Sequence, residues 1–564
     1  STIAVNIPID QDGYLWNSLS ANPFRSPTTK WRVTLAGNTN VNDQTDRIFG
    51  LNGPFTFFVN DTNTVGDVYT TAVGDDANLG IASNAPKATL RAVLDSWDID
   101  PEDVVLLDTG YYVITSNDIA KVRLDNGGNS VYPVIIRGST NGVTWDALGI
   151  TEGVSGPVVL EIEAAYVELE RVSLFSAGIK AAGTNITLRD VSMQRSSIEL
   201  AGPLGVIESY QVTNGLVKLS GNDVLARSGY VRNGGLELLG DNSRLINSVV
   251  AGSNSPLVKI GGVNVQVINN TLVANQTAIQ QIDFDSLSTV RNNILVANGI
   301  LGNGYCIETQ GGVVQSDFNL FSLRNGAWFG NAQDGLWERL IYWQQNSRQD
   351  TNSITGDPLF ADEPGGDYRL KSVTGRWNGS GFTADAEHSP AIDAGAPFDE
   401  FLNETAPNGN RINIGAFGNS AQASRSRTNA WLYAMTMNDG GVLRGTNTLR
   451  WLSGAVDPTN RVTLQYSTDG GANWQTIVSD LAVSGGSYVW DASTASNSLD
   501  ALWRVVLESN TNVQDTTDSI FNIRNDVLSF YVNDTSTTGD VYTTAPGNDA
   551  NDGRTPATPK ATLE

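Results

Sequence analysis

The longest stretch with a uniform pattern runs from about residue 100 to residue 330. Short runs of β-branched and other apolar residues alternate there with Gly, Asn, Asp and Ser, and helical periodicity is almost absent. Asn247, Asn270 and Asn293 follow one another at a constant spacing (270 minus 247 and 293 minus 270 are both 23), and Val172 and Val191 are separated by a similar interval (191 minus 172 is 19). One coil of a parallel β-helix uses about 20 residues for three short strands and their bends. The pattern therefore predicts a parallel β-helix with a stacked core of Val, Ile and Leu.

The paired asparagines at 269/270 and 292/293 have two interpretations. In a solenoid, like residues stack coil on coil, so asparagines at a bend can form a hydrogen-bonded ladder. Sugar recognition by the same side chains is the functional alternative. Because asparagine is so common in turns, we expect the ladder.

A second pattern begins near residue 427. Up to residue 525 the chain alternates apolar and polar positions in short runs such as LRWL, RVTLQYS, YVWD and LWRVVLES, which Gly, Asn and Asp separate. This is typical of a small immunoglobulin-like sandwich. The segment Ser467–Trp474 fits the Asp-box pattern S-x-D-x-G-x-x-W, whose main physical role is to close a hairpin over its tryptophan.

Long segments of the chain occur twice. Phe58–Leu90 returns as Tyr531–Leu563 at a spacing of 473 (531 minus 58), and Trp31-Arg32-Val33 returns as Trp503-Arg504-Val505 at a spacing of 472 (503 minus 31). We therefore divide the chain into the second half of an immunoglobulin-like module (1–53), a β-helix with an N-terminal cap and a closing segment (54–425), a complete sandwich (426–526) and the start of the next β-helix (527–564).

The two partial copies duplicate sequence that is present in full elsewhere in the chain. A covalent tandem array, in which each module contacts its neighbours, accounts for such redundancy. A processed or strand-complementing subunit is the alternative, but it would require complementary halves rather than duplicated ones. We expect the array, with adjacent repeats and neighbouring chains as partners.

Both ends of the β-helix region resemble known proteins. The segment 57–94, FFVNDTNTVGDVYTTAVGDDANLGIASNAPKATLRAVL, resembles the opening of secreted right-handed β-helix proteins related to polysaccharide lyases and mannuronan epimerases. GDPLFADEPGGDYRLKSVTG, HSPAIDAGAP (388–397) and NRINIGAFGN (410–419) resemble the closing segment of many bacterial surface β-helix proteins. The resemblance implies a right-handed solenoid over about residues 57–420. A capping helix is expected over Pro86–Leu94, which has apolar spacing and a proline at its start.

The net charge of the chain limits the kinds of molecule that it can bind. The chain carries 60 acidic and 35 basic side chains, a formal net charge of −25 at pH 7, so its surface would repel nucleic acid and anionic membranes. No apolar run reaches the ~18 residues that suggest a membrane span. Cys306 stands alone, which excludes an intrachain disulfide. These features suit an extracellular or cell-surface protein.

The same acidity makes Ca²⁺ a candidate cofactor, since it prefers oxygen ligands. The loops GDDANLG and GNDANDG have the oxygen-rich alternation that suits a hard cation. Their candidate ligands are Asp75, Asp76 and Asn78 in the first copy and Asn548, Asp549, Asn551 and Asp552 in the second. Loops of this composition also form turns without metal.

Candidate catalytic residues are sparse. A lyase needs a base and a group that neutralises a uronate carboxylate. Lys121, Lys180, Lys218 and Lys259 are scattered along the β-helix region, and there is no epimerase motif Tyr-Gly-x-Asp-Pro-His. The alternation in QIDFDSL puts Asp283 and Asp285 on one face of a strand, and His388 is the only histidine.

We assign no catalytic residue. The leading hypothesis is a structural or adhesive unit of an extracellular fibre, tube or surface layer. A polysaccharide lyase-type enzyme and a carbohydrate-binding adhesin, each with polysaccharide as partner, are the alternatives.

Overall fold

The chain is nearly all β. The computed structural model describes residues 2–11, 13–16, 26–46, 49–51, 53–147, 156–252, 256–282, 287–300, 304–332, 335–525 and 529–563. It contains two compact units, Ser1–Thr428 and Asn429–Glu564. Each unit is described by itself below.

Three eleven-stranded sheets build the β-helix of the first unit, and successive coils add one parallel strand to each sheet, except that Gly335–Trp337 returns antiparallel against Trp328–Ala332. Sheet I contains Thr56–Val59, Val104–Leu107, Val134–Gly138, Val167–Glu170, Thr187–Arg189, Val206–Glu208, Leu225–Arg227, Arg244–Ile246, Val265–Ile268, Leu287–Arg291 and Val313–Asp317. Sheet II contains Gly110–Val113, Val143–Asp146, Ser173–Phe175, Ser192–Gln194, Gln211–Thr213, Tyr230–Arg232, Val249–Ala251, Thr271–Val273, Ile294–Asn298, Leu320–Arg324 and Ile354–Thr355. Sheet III contains Ala120–Val122, Val158–Ile162, Gly178–Ala181, Ser197–Leu200, Leu216–Leu219, Gly235–Leu238, Val258–Ile260, Ile279–Gln281, Tyr305–Thr309, Trp328–Ala332 and Gly335–Trp337.

The coils repeat at the predicted period. Residues with positive φ mark the bend between sheets III and I, and there they recur at one constant spacing (185 minus 166 is 19): Tyr166, Asn185, Leu204, Asp223 and Asn242. The bend between sheets I and II repeats at the same spacing from Arg171 to Asn247. The spacing then widens towards Asn269, Asn292 and Phe318 (269 minus 247 is 22, 292 minus 269 is 23, and 318 minus 292 is 26). Short polar side chains tolerate this left-handed conformation best, which explains the Asn and Asp at so many bends.

Inward-facing residues stack in apolar columns. In sheet II, for example, Leu174, Met193, Val212 and Val231 follow one another in register. The buried residues form one continuous cluster from Phe57 to Trp343. Together with the parallel pairing and the sandwich described below, this confirms the predicted fold class, an all-β chain with a β-helix and an immunoglobulin-like sandwich.

The predicted asparagine ladder is confirmed for Asn270 and Asn293 but not for their neighbours, since Asn292 bonds to Ala396 and Asp399 of the closing segment. The Asn293 Oδ1 accepts from the Asn270 backbone N–H at 2.8 Å, and the Asn319 Oδ1 accepts from the Asn293 N–H at 2.9 Å. The amide nitrogens donate to buried carbonyls, as Asn293 does to Val267 at 2.7 Å. These side chains are fully buried, so they hold the bend and are not available to a sugar.

A helix lies at each end of the solenoid. Helix α1 spans Leu90–Ser96, and the Thr89 side chain caps it by accepting from the Ala92 N–H. The prediction that this helix starts at Pro86 was wrong, because Lys87 instead pairs with sheet I through hydrogen bonds to Phe58 and Asn60. Helix α2, Leu340–Ser347, was not predicted. No helix within the described residues is long and apolar enough to span a membrane.

The closing segment, residues 356–426, lies along the outer face of sheet II. It contains two hairpins, formed by the strand pairs Phe360–Asp362 with Asp367–Leu370 and Arg376–Trp377 with Phe382–Thr383. The Gly415 N–H donates to the Asn292 carbonyl, and the Ala416 N–H donates to the Thr271 hydroxyl. The segment thereby buries outward positions of the later sheet II strands, including Val249, Ile294 and Leu320.

Two antiparallel pairs precede the β-helix, Ser26–Thr29 with Phe49–Leu51 and Arg32–Leu35 with Asn38–Gln44.

The second unit contains the sandwich. One sheet consists of Trp431–Ala434, Thr446–Gly454 and Ser487–Asp491. The other consists of Val442–Leu443, Phe521–Ile523, Ser498–Leu507, Arg461–Ser467, Gln475–Ala482 and Gln514–Thr516. Short 3₁₀ turns lie at Val483–Gly485 and Ala492–Thr494.

Replacing Asn293 by Ala tests the ladder. The substitution leaves the Asn270 N–H buried without a partner, so we expect a loss of roughly 2 kcal/mol in the free energy of unfolding. Asn222→Ala makes the same deletion at an exposed position and should cost under about 1 kcal/mol. Equal losses of unfolding free energy in the two variants, measured by urea denaturation, would contradict the role assigned to Asn293.

Candidate functional site

The four lysines that looked scattered form one charge ladder on the outer face of sheet III. Strand register alternates lysine with glutamate coil by coil, in the order Lys121, Glu161, Lys180, Glu199, Lys218, Glu237, Lys259. The Lys218 Nζ lies 2.9 Å from a Glu199 oxygen, and Lys259 lies 3.7 Å from Glu237. Like charges stacked directly above one another would repel, and alternation removes that repulsion. Lys121, Lys218 and Lys259 therefore act as structural ion-pair partners, and Lys180 continues the same alternation.

A second ladder lies on the outer face of sheet I. It runs Arg137, Glu170, Arg189, Glu208, Arg227 in strand register. The Arg189 guanidinium bridges two carboxylates, at 3.2 Å from Glu170 and 2.6 Å from Glu208. Neither carboxylate is free to act as a general acid or base, because each accepts from an arginine on either side.

Sheet II has an outer face that the closing segment leaves open over its middle strands. We define the open face by two columns of outward residues and one residue at a bend. The first column is Ser173, Ser192 and Gln211, and the second is Phe175, Gln194, Thr213 and Arg232. The bend residue is Arg195. Tyr230 marks its border, where its hydroxyl donates to the Gly366 carbonyl at 3.1 Å and its ring packs against Tyr368.

The open face offers hydroxyl and amide groups beside two arginines. The Arg195 guanidinium lies 4.7 Å from the centre of the Phe175 ring. Within the described residues, neither Arg195 nor Arg232 forms an ion pair, unlike Arg137, Arg189 and Arg227 of sheet I. Such a surface can donate hydrogen bonds to sugar hydroxyls and to a carboxylate. It contains no lysine or histidine.

The first candidate calcium loop is held together by its own hydrogen bonds. The Asp76 Oδ1 accepts from the Ala88 and Thr89 N–H groups, both at 2.9 Å, and Asp75 accepts from Ala77 at 2.9 Å. The Asn78 side chain donates to the Pro86 carbonyl. Asp76 therefore anchors the chain just before helix α1.

The second copy repeats this network. The Asp549 Oδ1 accepts from the Ala561 N–H at 2.9 Å, and the Asn551 amide donates to the Pro559 carbonyl at 2.9 Å. Asn548 accepts from the Ala550 N–H, and Asp552 accepts from the Arg554 N–H. In the described part of the chain, no three His, Cys, Asp or Glu side chains are close enough together to hold a metal ion. Calcium binding stays a prediction.

The remaining candidates offer little chemistry. Asp283 and Asp285 lie outside the described residues. His388 accepts from the Val373 N–H, and burial lowers its pKa to about 3, which suits a structural role. In the Asp-box, Asp469 accepts from Ser467 and Asn473 across the turn, as predicted, but Trp474 stacks against Arg504.

Sequence reasoning did not find the buried carboxylates of the closing segment. Burial raises the pKa of the Glu404 carboxyl to about 8 and that of Asp393 to about 6. One Glu404 oxygen accepts from the Asn413 and Asn419 N–H groups, at 2.9 and 2.8 Å. The other has no partner among the described residues. No local pattern marks these residues, because their burial arises when distant parts of the segment pack together.

Three comparisons place the chain among other proteins. Residues 227–395, less than half of the chain, match the family described as Disaggregatase related. No curated protein matches in sequence. The crystal structure of pectate lyase Pel9A matches with a TM-score of 0.37 and 14% identity, over 65% of this chain and 97% of that one. A rhamnogalacturonan lyase matches with a TM-score of 0.36 and 12% identity, over 55% and 91%.

Glu404→Gln should change how stability depends on pH. The folded-state pKa lies above the ordinary value of 4.5, so ionisation destabilises the fold as pH rises from about 5 through about 8. Glutamine cannot ionise and keeps an oxygen for the two N–H groups. The melting temperature of the variant, relative to the unmodified protein, should therefore rise between pH 5 and pH 9. A difference in melting temperature between the two proteins that stays constant from pH 5 to pH 9 would show that Glu404 does not titrate in this range.

Proposed function

We propose that this chain is a building unit of an extracellular or cell-surface fibre, tube or layer, made from tandem repeats of about 473 residues. It acts through its stacked coils and the contacts between modules rather than through a catalytic centre. Its partners are adjacent repeats and neighbouring chains.

The observation that carries the proposal is the second cap. Asn533 donates to the Ser536 carbonyl, the Asp540 carboxylate and the Ala545 carbonyl. In the first copy, Asn60 donates to the equivalent three groups, at Asn63, Asp67 and Ala72. Both copies also contain the same parallel bridge, Val59 with Lys87 and Val532 with Lys560.

The second cap therefore repeats the local fold of the first, which lies at the start of the β-helix, where Thr56–Val59 pairs with Val104–Leu107. Repetition of the unit that begins a β-helix supports a tandem array.

The charge ladders support a structural role over a lyase role. Each lysine of sheet III lies next to a glutamate in register, so the ladder uses these side chains for charge alternation between coils. A net charge of −25 keeps such arrays dispersed, and Ca²⁺ bound to their carboxylates would crosslink them.

Carbohydrate binding is the second candidate function, and the open face of sheet II favours it. Its arginines are not committed to ion pairs with described residues, and its columns repeat hydroxyl and amide groups along the solenoid axis. A linear acidic polysaccharide would find the same contacts at successive coils.

Electron microscopy of the native material tests the structural proposal. We expect filaments, tubes or sheets with one constant axial spacing per 473-residue repeat, which a Ca²⁺ chelator disperses. An excess of Mg²⁺ without chelator serves as the ionic-strength control and should leave the assemblies intact. Dispersed single particles in untreated material would rule out the proposal, and filaments that resist the chelator would remove calcium from it.

Affinity electrophoresis in gels containing acidic polysaccharide tests the open face. Arg195→Gln with Arg232→Gln should weaken retardation by roughly tenfold, since each guanidinium contributes a charge-assisted hydrogen bond. Arg227→Gln with Arg244→Gln removes the same charge from the outer face of sheet I and should change retardation less than twofold. Equal effects of the two double variants would show that charge alone, and not the open face, causes retardation.

A further inference from the structure

Two carboxyl side chains of the closing segment are buried at one place. Asp393 is 5% exposed and Glu404 is 4% exposed. Both lie against Asn413, whose backbone N–H donates to Glu404 and whose side-chain oxygen accepts from the Asp393 N–H, each at 2.9 Å. Burial raises the pKa of Glu404, and the nearby charge of Asp393 raises it further. These two side chains are the buried carboxyl pair.

The buried carboxyl pair has no positively charged partner among the described residues. Arg411 is the nearest basic side chain to Asp393, but its guanidinium donates to the carbonyl oxygens of Ala394 and Gly395 and forms no ion pair. A carboxylate that is buried without a counter-charge is costly, so it takes up either a proton or a cation.

The hydrogen bonds leave one oxygen of the pair unused. Glu404 Oε1 accepts from two backbone N–H groups, whereas Oε2 is buried and has no hydrogen-bond partner in the described part of the chain. Asp393 Oδ1 accepts from the Ser426 hydroxyl at 2.6 Å. A buried oxygen without a donor has lost its hydration and gained nothing in return, which points to a further ligand at this position.

The backbone around the pair is irregular and closely packed. A Cβ added at Gly409 would lie 2.3 Å from Asp393 Oδ1 and 2.4 Å from Oδ2, so only glycine fits there. The Ser426 N–H donates to the Pro407 carbonyl at 2.8 Å, which holds residues 404–411 over Asp393. Irregular loops of this kind supply the carbonyl oxygens that Ca²⁺ takes besides carboxylates.

We propose that the buried carboxyl pair binds one Ca²⁺ ion, through Glu404 Oε2 and the Asp393 carboxylate. No third acidic side chain of the described residues is close enough to join them, so backbone carbonyl and water oxygens complete the site. Mg²⁺ suits the site less well, because it gives up its water reluctantly and a buried pair leaves little room for that water.

The ion would fasten the closing segment to the solenoid. Ala396, just after Asp393, donates its N–H to the Asn292 side chain, and Gly415, just after Asn413, donates to the Asn292 carbonyl. Linking Asp393 to Glu404 therefore fixes both chain segments that contact this bend. The site is separate from the candidate loops at Asp75–Asn78 and Asn548–Asp552 and does not depend on the proposed array.

Thermal unfolding of the 564-residue chain at pH 8 tests the site. Protein freed of metal by a chelator and then dialysed should gain at least about 4 °C in melting temperature when Ca²⁺ is added in excess, since the ion binds only the folded state. Asp393→Asn with Glu404→Gln should abolish this gain. Both substitutions remove buried charge and keep an oxygen for the existing donors, so the variant folds without the ion. The pH dependence expected above for Glu404→Gln is that of the metal-free protein.

The matched control is Asp362→Asn with Glu400→Gln. It removes the same charge from exposed positions of the same segment and should keep the full gain. An equal gain in the Asp393/Glu404 variant would overturn the site, because Ca²⁺ would then act elsewhere. No gain in the unmodified chain would also overturn it and leave protons to neutralise the pair. An equal gain with Mg²⁺ would overturn the assignment to Ca²⁺.

Equilibrium dialysis with radioactive Ca²⁺ counts the bound ions independently of stability. The Asp393/Glu404 variant should bind one ion fewer per chain than the Asp362/Glu400 control. Equal numbers would contradict the site even if melting temperatures differ. Both measurements use the isolated chain, so neither outcome depends on whether native material forms filaments.

Discussion

Each coil of the β-helix satisfies its backbone hydrogen bonds only against the coil before it and the coil after it. This constraint stacks equivalent side chains about 4.8 Å apart, so every position must tolerate a near neighbour of its own kind. Apolar residues meet the requirement by packing, and asparagines meet it by bonding to one another, as Asn270, Asn293 and Asn319 do. Charged residues meet it by alternating in sign, which accounts for both ladders.

The same constraint exposes an unpaired edge wherever the stack ends. Helix α1 and the loop that Asp76 anchors cover the first coil of this solenoid, and α2 lies at the other end. The cap of residues 529–563 repeats the local fold of the first cap, including the bridge of Val532 with Lys560.

The parts of this fold that repeat were predictable, and the parts that depend on distant contacts were not. The spacing of Asn247, Asn270 and Asn293 predicted the coils because asparagine recurs at one bend, although Asn247 lies in register with Asn269 rather than with Asn270. The ladder of sheet III was equally predictable, because Lys180, Glu199 and Lys218 alternate in sign at one regular spacing. The open face could not be predicted, since its border depends on a contact between Tyr230 and Gly366, which are far apart in the sequence.

The size of the native polypeptide tests the central claim most directly. Light scattering on denatured, chromatographed protein from its source measures the mass of the covalent chain. A tandem array predicts a mass well above the 60.3 kDa of these 564 residues, in steps that match the 473-residue repeat. A single species of the mass of this chain alone would contradict the account, because 564 residues hold little more than one repeat of 473 residues.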